Sequence, residues 1–171
     1  MKKDIRIKNV IASLYDLSQL VKEKSAGLEK ELKRARVLIQ RAFDFNLFTV
    51  FQYDYLERKL VPMHMYGDPF NLVDAVNFRL GKGATQWCIH HKRPLLIKDL
   101  SREDGTERFF VNSFLAVPII INAQTVGAVV MGDFEKSRYT DADRFMMEII
   151  SPYLGNLLMK SYLELDKEDA A

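Results

Sequence analysis

A thiol and two imidazoles fall together at Cys88, His90 and His91. Cys88 and His91 stand three residues apart, and on a helix that spacing puts them on one face. With His64 they are the chain's candidates for a metal or haem site. The spacing forms no recognised ligand motif. The competing reading is a packed cysteine beside surface histidines at the polar end of a helix, where imidazolium suits the dipole. A second candidate chemistry is phosphate binding at Gly81-Lys82-Gly83. The full glycine-rich pattern ending in Lys-Ser/Thr is missing, and glycine there more simply allows a sharp strand-to-helix turn. A third is acid–base work by Asp99, Glu103, Asp104 and Glu107. A catalytic pair needs one carboxylate buried, and a polar loop supplies carboxylates without that. None of these sets points to an enzyme.

Another group of side chains suits binding. Met63 and Met65 alternate along a strand and so share one face. Phe78, Trp87, Phe109, Phe110 and Phe114 gather around the loops beyond it. Large, adaptable side chains suit an apolar or planar small molecule. They can equally fill the space themselves, and both readings stand. Together with Cys88, His91 and Asp99 they are the candidate ligand-binding residues, with 99–112 as the candidate lid. The ligand and any cofactor stay unassigned.

These side chains must be held by a sheet, and its centre is legible. Two apolar runs, 114–121 and 126–131, flank a polar break at 122–125. Each is rich in Val and Ile and too short for a typical helix, which predicts a β-hairpin. Both runs are apolar on both parities, so both faces of these strands should be covered and the pair should lie mid-sheet. Residues 47–53 are aromatic and β-branched, a strand, and 60–66 return as a second one. Pro62 lacks a backbone donor, which places that return strand at an edge. Short strands are expected at 76–80 and 95–98, with a short helix over 84–91 between them.

Helices flank the sheet. Ile7, Leu14, Val21, Leu28, Ala35 and Ala42 recur every seven residues, with Val10, Leu17 and Leu38 in a partial second row. That predicts helices over 5–23 and 26–43, or one bent helix, with a coiled-coil seam and Ser25 as cap of the second. Apolar surface along 7–21 has little local sequence to cover it, which points to a homodimer. The last helix starts near Thr140, where Thr140 and Asp143 can form a capping box. Its apolar positions run as Phe145, Ile149, Tyr153 and Leu157 beside Met146, Ile150, Leu154 and Leu158. Pro152 sits inside and should kink it.

Composition sets the bounds. The chain has 171 residues, 48% apolar and 28% charged, with a net charge of +2. That fits one domain with a substantial core and implies no nucleic-acid partner. The basic first forty residues and the acidic tail from Glu164 to Asp169 read as solvated helix faces. One cysteine excludes an internal disulfide. No run of about 18 apolar residues is present to span a membrane. No apolar stretch of signal-peptide type follows the basic start, so cytoplasmic is the expectation.

Several short words fall in order along this plan: Leu80-Gly-Lys-Gly-Ala, Trp87-Cys88, Lys92-Arg-Pro-Leu-Leu-Ile-Lys-Asp99, Ser113-Phe-Leu-Ala-Val-Pro118, Val126-Gly127 and Thr140 with Asp143. Their order and spacing resemble the GAF domain, a sensory relative of the PAS fold, over about 26–158. The resemblance implies an α+β fold. A twisted antiparallel sheet of about six strands would carry the terminal helices on one face, and short helices, loops and a small-molecule pocket on the other. It implies a domain over 26–160, a dimerising helix before it and an acidic tail after 161. It also implies a dimeric input module that signals through its terminal helices to a partner domain or protein. The cyclic-nucleotide signature of some relatives is not found; Phe109, Phe110 and Asn112 occupy a comparable loop without it. The Cys-His of bilin-binding relatives is replaced by Cys88-Ile89. Methionine sulfoxide reductases of this fold exchange cysteines, and Cys88 has no second thiol. The expectation is a non-enzymatic sensor. The alternatives are a structural dimerisation domain with a filled pocket, or a redox, metal or haem sensor through Cys88 and His91.

Overall fold

The computed structural model describes residues 2–67, 83–100 and 111–169, with side chains from 5 to 160 within those spans. Helices α1 (Lys2–Lys22) and α2 (Leu28–Gln40) lead into strands β1 (Leu47–Asp54) and β2 (Lys59–Tyr66). Helix α3 (Ala84–His91), strands β3 (Leu95–Ile97), β4 (Ser113–Ile121) and β5 (Gln124–Asp133), and the long helix α4 (Asp141–Asp169) follow. The described strands form one five-stranded sheet in the order β2-β1-β5-β4-β3, antiparallel throughout. The strand expected at 76–80 lies outside the described residues.

The hairpin of β4 and β5 takes the interior of the sheet, as its two-sided apolar pattern requires. Side chains alternate across the pleat. Leu115, Val117, Ile119, Val129 and Met131 face a core built with the helices, while Phe114, Ala116 and Val130 face the opposite side. Each large side chain so buried contributes roughly 1.5–3 kcal/mol. The strands turn through Asn122 and Ala123, at φ 49° and 64°. Ile121 pairs with Gln124 across this two-residue turn, whose twist matches the strands. At the far edge, β2 carries Pro62 in the position a missing donor allows. The register shifts between Val50 and Phe51, opposite His64 and Pro62.

Helices α2 and α4 lie on one face of the sheet and α1 packs on both. Ser13 Oγ donates to the Leu38 carbonyl at 2.7 Å, and Arg41 pairs with Asp16 at 2.6 Å. Arg6 meets Asp143, and Lys160 Nζ donates to the Glu23 carbonyl at 2.6 Å. Both contacts span the same 137 residues, so α1 and α4 run parallel. Lys160 also reaches the buried Glu31 at 2.8 Å, tying all three helices at one end.

Three sequence expectations change here. The cap of α2 is Gly27, two residues past Ser25, whose hydroxyl instead accepts the Gly27 N–H at 3.3 Å. Along α1 the row that packs inward is Val10, Ser13, Leu17 and Leu20; α2 and α4 of the same chain cover it. Ile7, Ile11 and Tyr15 are left exposed. On α4, Phe145 and Ile149 are also exposed, and the inward stripe is Met147, Ile150, Leu154, Leu157 and Leu158. The capping box forms as expected: Thr140 Oγ1 accepts the Asp143 N–H at 3.4 Å and Asp143 Oδ2 accepts the Thr140 N–H at 2.8 Å. The helix runs through Pro152 without a break. The Glu148 carbonyl, which Pro152 cannot serve, lies 3.3 Å from the Ser151 hydroxyl.

Candidate functional site

The sheet face away from the long helices is the candidate site. Leu47 and Phe51 of β1, Phe114 and Ala116 of β4 and Val130 of β5 form its floor. Helix α3 lies over it and sends down Cys88, with Leu100 and Val111 closing the side. Gly83 begins α3 at φ 108°, a conformation glycine adopts without strain. Its neighbours Gly81 and Lys82 lie outside the described residues.

The floor is apolar with one exception. Thr49 pairs across the sheet with Val130, which belongs to this side, and is fully buried. Its hydroxyl has no hydrogen-bond partner. A buried hydroxyl without a partner costs about 1–3 kcal/mol, and a ligand that supplied one would recover it. Sequence reading missed Thr49 because it sits inside an aromatic strand pattern and looks like an ordinary β-branched residue.

Cys88 is wholly buried, and burial, with a smaller push from Glu148, raises its thiol pKa to about 12. The group is a neutral thiol at physiological pH and a poor nucleophile or metal ligand. His91 does not share its surroundings. It is exposed, stacks on Trp87 at 4.4 Å, and its Nδ1 lies 2.9 Å from the Trp87 carbonyl. His64 stands on edge strand β2 beside Arg36 of α2, on the helix side of the sheet. The expected shared face of Cys88 and His91 is therefore split between interior and surface. Among the described residues no three His, Cys, Asp or Glu side chains gather as a metal site.

The remaining candidates scatter. Phe114 joins Cys88 in the buried layer. Trp87 is exposed. Asp99 lies at the surface, 3.1 Å from Lys136. The expectation that Met63 and Met65 share a face fails at the register shift: Met63 is left without a cross-strand partner and packs against the helix-side core, while Met65 is half exposed at the edge. Phe78, Phe109 and Phe110 lie outside the described residues, as does most of the candidate lid.

A family profile described as GAF domain matches residues 29–159. Among solved structures, the GAF domain of a phosphoenolpyruvate-protein phosphotransferase from Coxiella burnetii is similar, with TM-score 0.69 and 19% identity over 92% of this chain and 96% of that one. The corresponding domain from Acinetobacter matches at TM-score 0.69 and 16% identity, over 90% and 94%. A free methionine-R-sulfoxide reductase from Neisseria meningitidis, solved with its substrate, matches at TM-score 0.70 and 13% identity, over 91% of each chain. Identities at this level carry the fold alone. No curated protein matches the sequence.

Proposed function

This chain belongs to the GAF domain family, and on that premise we propose that it is a non-enzymatic sensory module of a signal-transduction system, cytoplasmic and homodimeric. The small molecule it senses would bind on the Phe114–Cys88 side of the sheet. One observation carries the reading. The central strands are shared by two buried layers, so Phe114 and Ala116 on the ligand side alternate with Leu115 and Val117, which hold the helices. A ligand that favours one of two sheet positions thereby has a direct mechanical path to α4 and α1. The Thr49 hydroxyl is the polar anchor in an apolar surround, which suits a mostly apolar ligand with one donor or acceptor.

The non-enzymatic part rests on Cys88. Thiol–disulfide exchange needs an ionised thiol and a second cysteine; this chain has one cysteine, and burial keeps it protonated. Free methionine-R-sulfoxide, offered with a dithiol reductant, is expected to show no turnover; turnover lost in Cys88→Ser would overturn this part.

A second reading is a structural dimerisation domain, favoured by the close apolar packing around Cys88 on the same face. A thermal-shift screen over nucleotides, bilins, haem and amino acids separates the two, since a binder stabilises by RT ln(1 + [L]/Kd). A saturable shift that Thr49→Val diminishes supports the sensor. No shift with any compound leaves the structural reading in its place.

A further inference from the structure

The residues facing the groove between α2 and the edge strand β2 pose a different problem. Arg36 is 9% exposed, yet no carboxylate among the described residues forms an ion pair with it. One guanidinium nitrogen, Nη1, donates to Gln40 at 2.7 Å, and the flat face stacks on Tyr66, 4.1 Å from the ring centre. Nε is buried without an acceptor. Nε2 of His64, opposite on β2, is likewise buried and unpartnered. Lys33, one turn before Arg36, lines the same groove, whose volume is about 450 Å³. Glu29 lies there too, exposed to solvent.

Burying a guanidinium without a counter-charge costs several kcal/mol in an isolated fold, and natural proteins rarely leave such a group unanswered. Stacking and Gln40 occupy one face and one nitrogen of Arg36. They leave the edge formed by Nε and Nη2, the fork whose two parallel N–H bonds match the two oxygens of a carboxylate or phosphate. The field of Arg36 is felt at His64: burial first, then Arg36, push the His64 pKa down, Glu29 pulls the other way, and Lys33 adds a smaller push down. Lys33, which lines the groove, is exposed, and rotation of such a chain is fast and cheap.

We propose that this groove is an anion site, in which the Nε–Nη2 edge of Arg36 takes an oxyanion of a small molecule and His64 and Lys33 complete its shell. It lies on the helix side of the sheet, apart from the Phe114–Cys88 face, and does not depend on what binds there.

The test is an NMR titration of the ¹⁵N-labelled full chain with sodium succinate and, separately, sodium phosphate, at ionic strength held constant with sodium chloride. A saturable shift of the Arg36 Nε–H signal with either anion supports the site, and the tighter of the two identifies the oxyanion. Arg36→Lys keeps the charge and loses the fork, and should weaken binding about tenfold or more. His64→Gln and Lys33→Gln, at less buried positions, should each weaken it severalfold; they serve as the check should Arg36→Lys fold poorly. Shifts that stay linear and match those of chloride overturn the proposal. So does binding that all three variants leave unchanged.

Discussion

A histidine three residues from Cys88 offered a metal or haem pair, against a packed cysteine beside a surface histidine; in the fold the two side chains face opposite media, as the second reading has it. With its pKa near 12, the thiol should resist iodoacetamide at pH 8 in the native protein and react promptly in denaturant, as mass spectrometry of the adduct would record. Native labelling as fast as that of a free cysteine would mean the α3 layer opens readily. His64 makes the opposite kind of prediction. Its folded pKa is lowered, chiefly by burial and then by Arg36, so the unfolded chain binds a proton more readily than the folded one. Its contribution to stability is therefore complete at pH above about 6.5 and declines as the pH falls through that value toward the lower folded pKa. Denaturant melts at pH 7.5 and 5.5, compared with those of His64→Gln, should show a smaller loss in the variant. Equal losses would put the histidine's environment in doubt.

At the scale of elements, two close approaches hold the helix layer and the sheet. A Cβ on Gly127 of β5 would collide with the carbonyl of Phe51 on neighbouring β1, which is backbone and has nowhere to go. Gly127→Ala should destabilise the fold by roughly 2–4 kcal/mol, read from the midpoint of denaturant unfolding. A loss below about 0.5 kcal/mol would mean that β1 and β5 part more easily than their pairing suggests. Gly155 of α4 sits against Ile119 and Ile121 of β4, where an added Cβ would lie 2.7 Å from Ile121 Cγ1. The missing Cβ lets α4 come directly against β4 at this point. The Thr140–Asp143 box and the Arg6 contact to Asp143 fasten the start of the same helix to α1.

At the scale of the molecule, exposed Ile7, Ile11 and Tyr15 on α1 stand in a row of four-residue steps, as do Phe145 and Ile149 on the parallel helix α4. Apolar rows of this kind on neighbouring helices are the surface on which a second copy would pack. Sedimentation or light scattering at tens of micromolar should give twice the chain mass, and Ile11→Asp should return it to the monomer while leaving the circular dichroism unaltered. A monomeric wild type would remove the dimer and, with it, the route proposed from the sheet to a signalling partner. No described helix is long and apolar enough to cross a membrane.

Local pattern by itself determined the two-sided apolar hairpin at the centre, the edge position of the strand with Pro62, the Thr140–Asp143 cap and the order of elements that resembles the GAF family. Each depends on neighbours within a few residues, or on the pleat, and periodicity reports those faithfully. Which side of a helix is covered is decided by chain far away. The row through Val10 and Leu17 turns inward because α2 and α4 lie there, and Phe145 and Ile149 turn outward although their spacing is as regular as that of their buried neighbours. The register shift that separates Met63 from Met65, the buried Arg36 Nε without an acceptor and the unpartnered hydroxyl of Thr49 arise from packing between distant segments. A sequence pattern holds the period of a side chain but not its partner, and in this protein the partners set the chemistry.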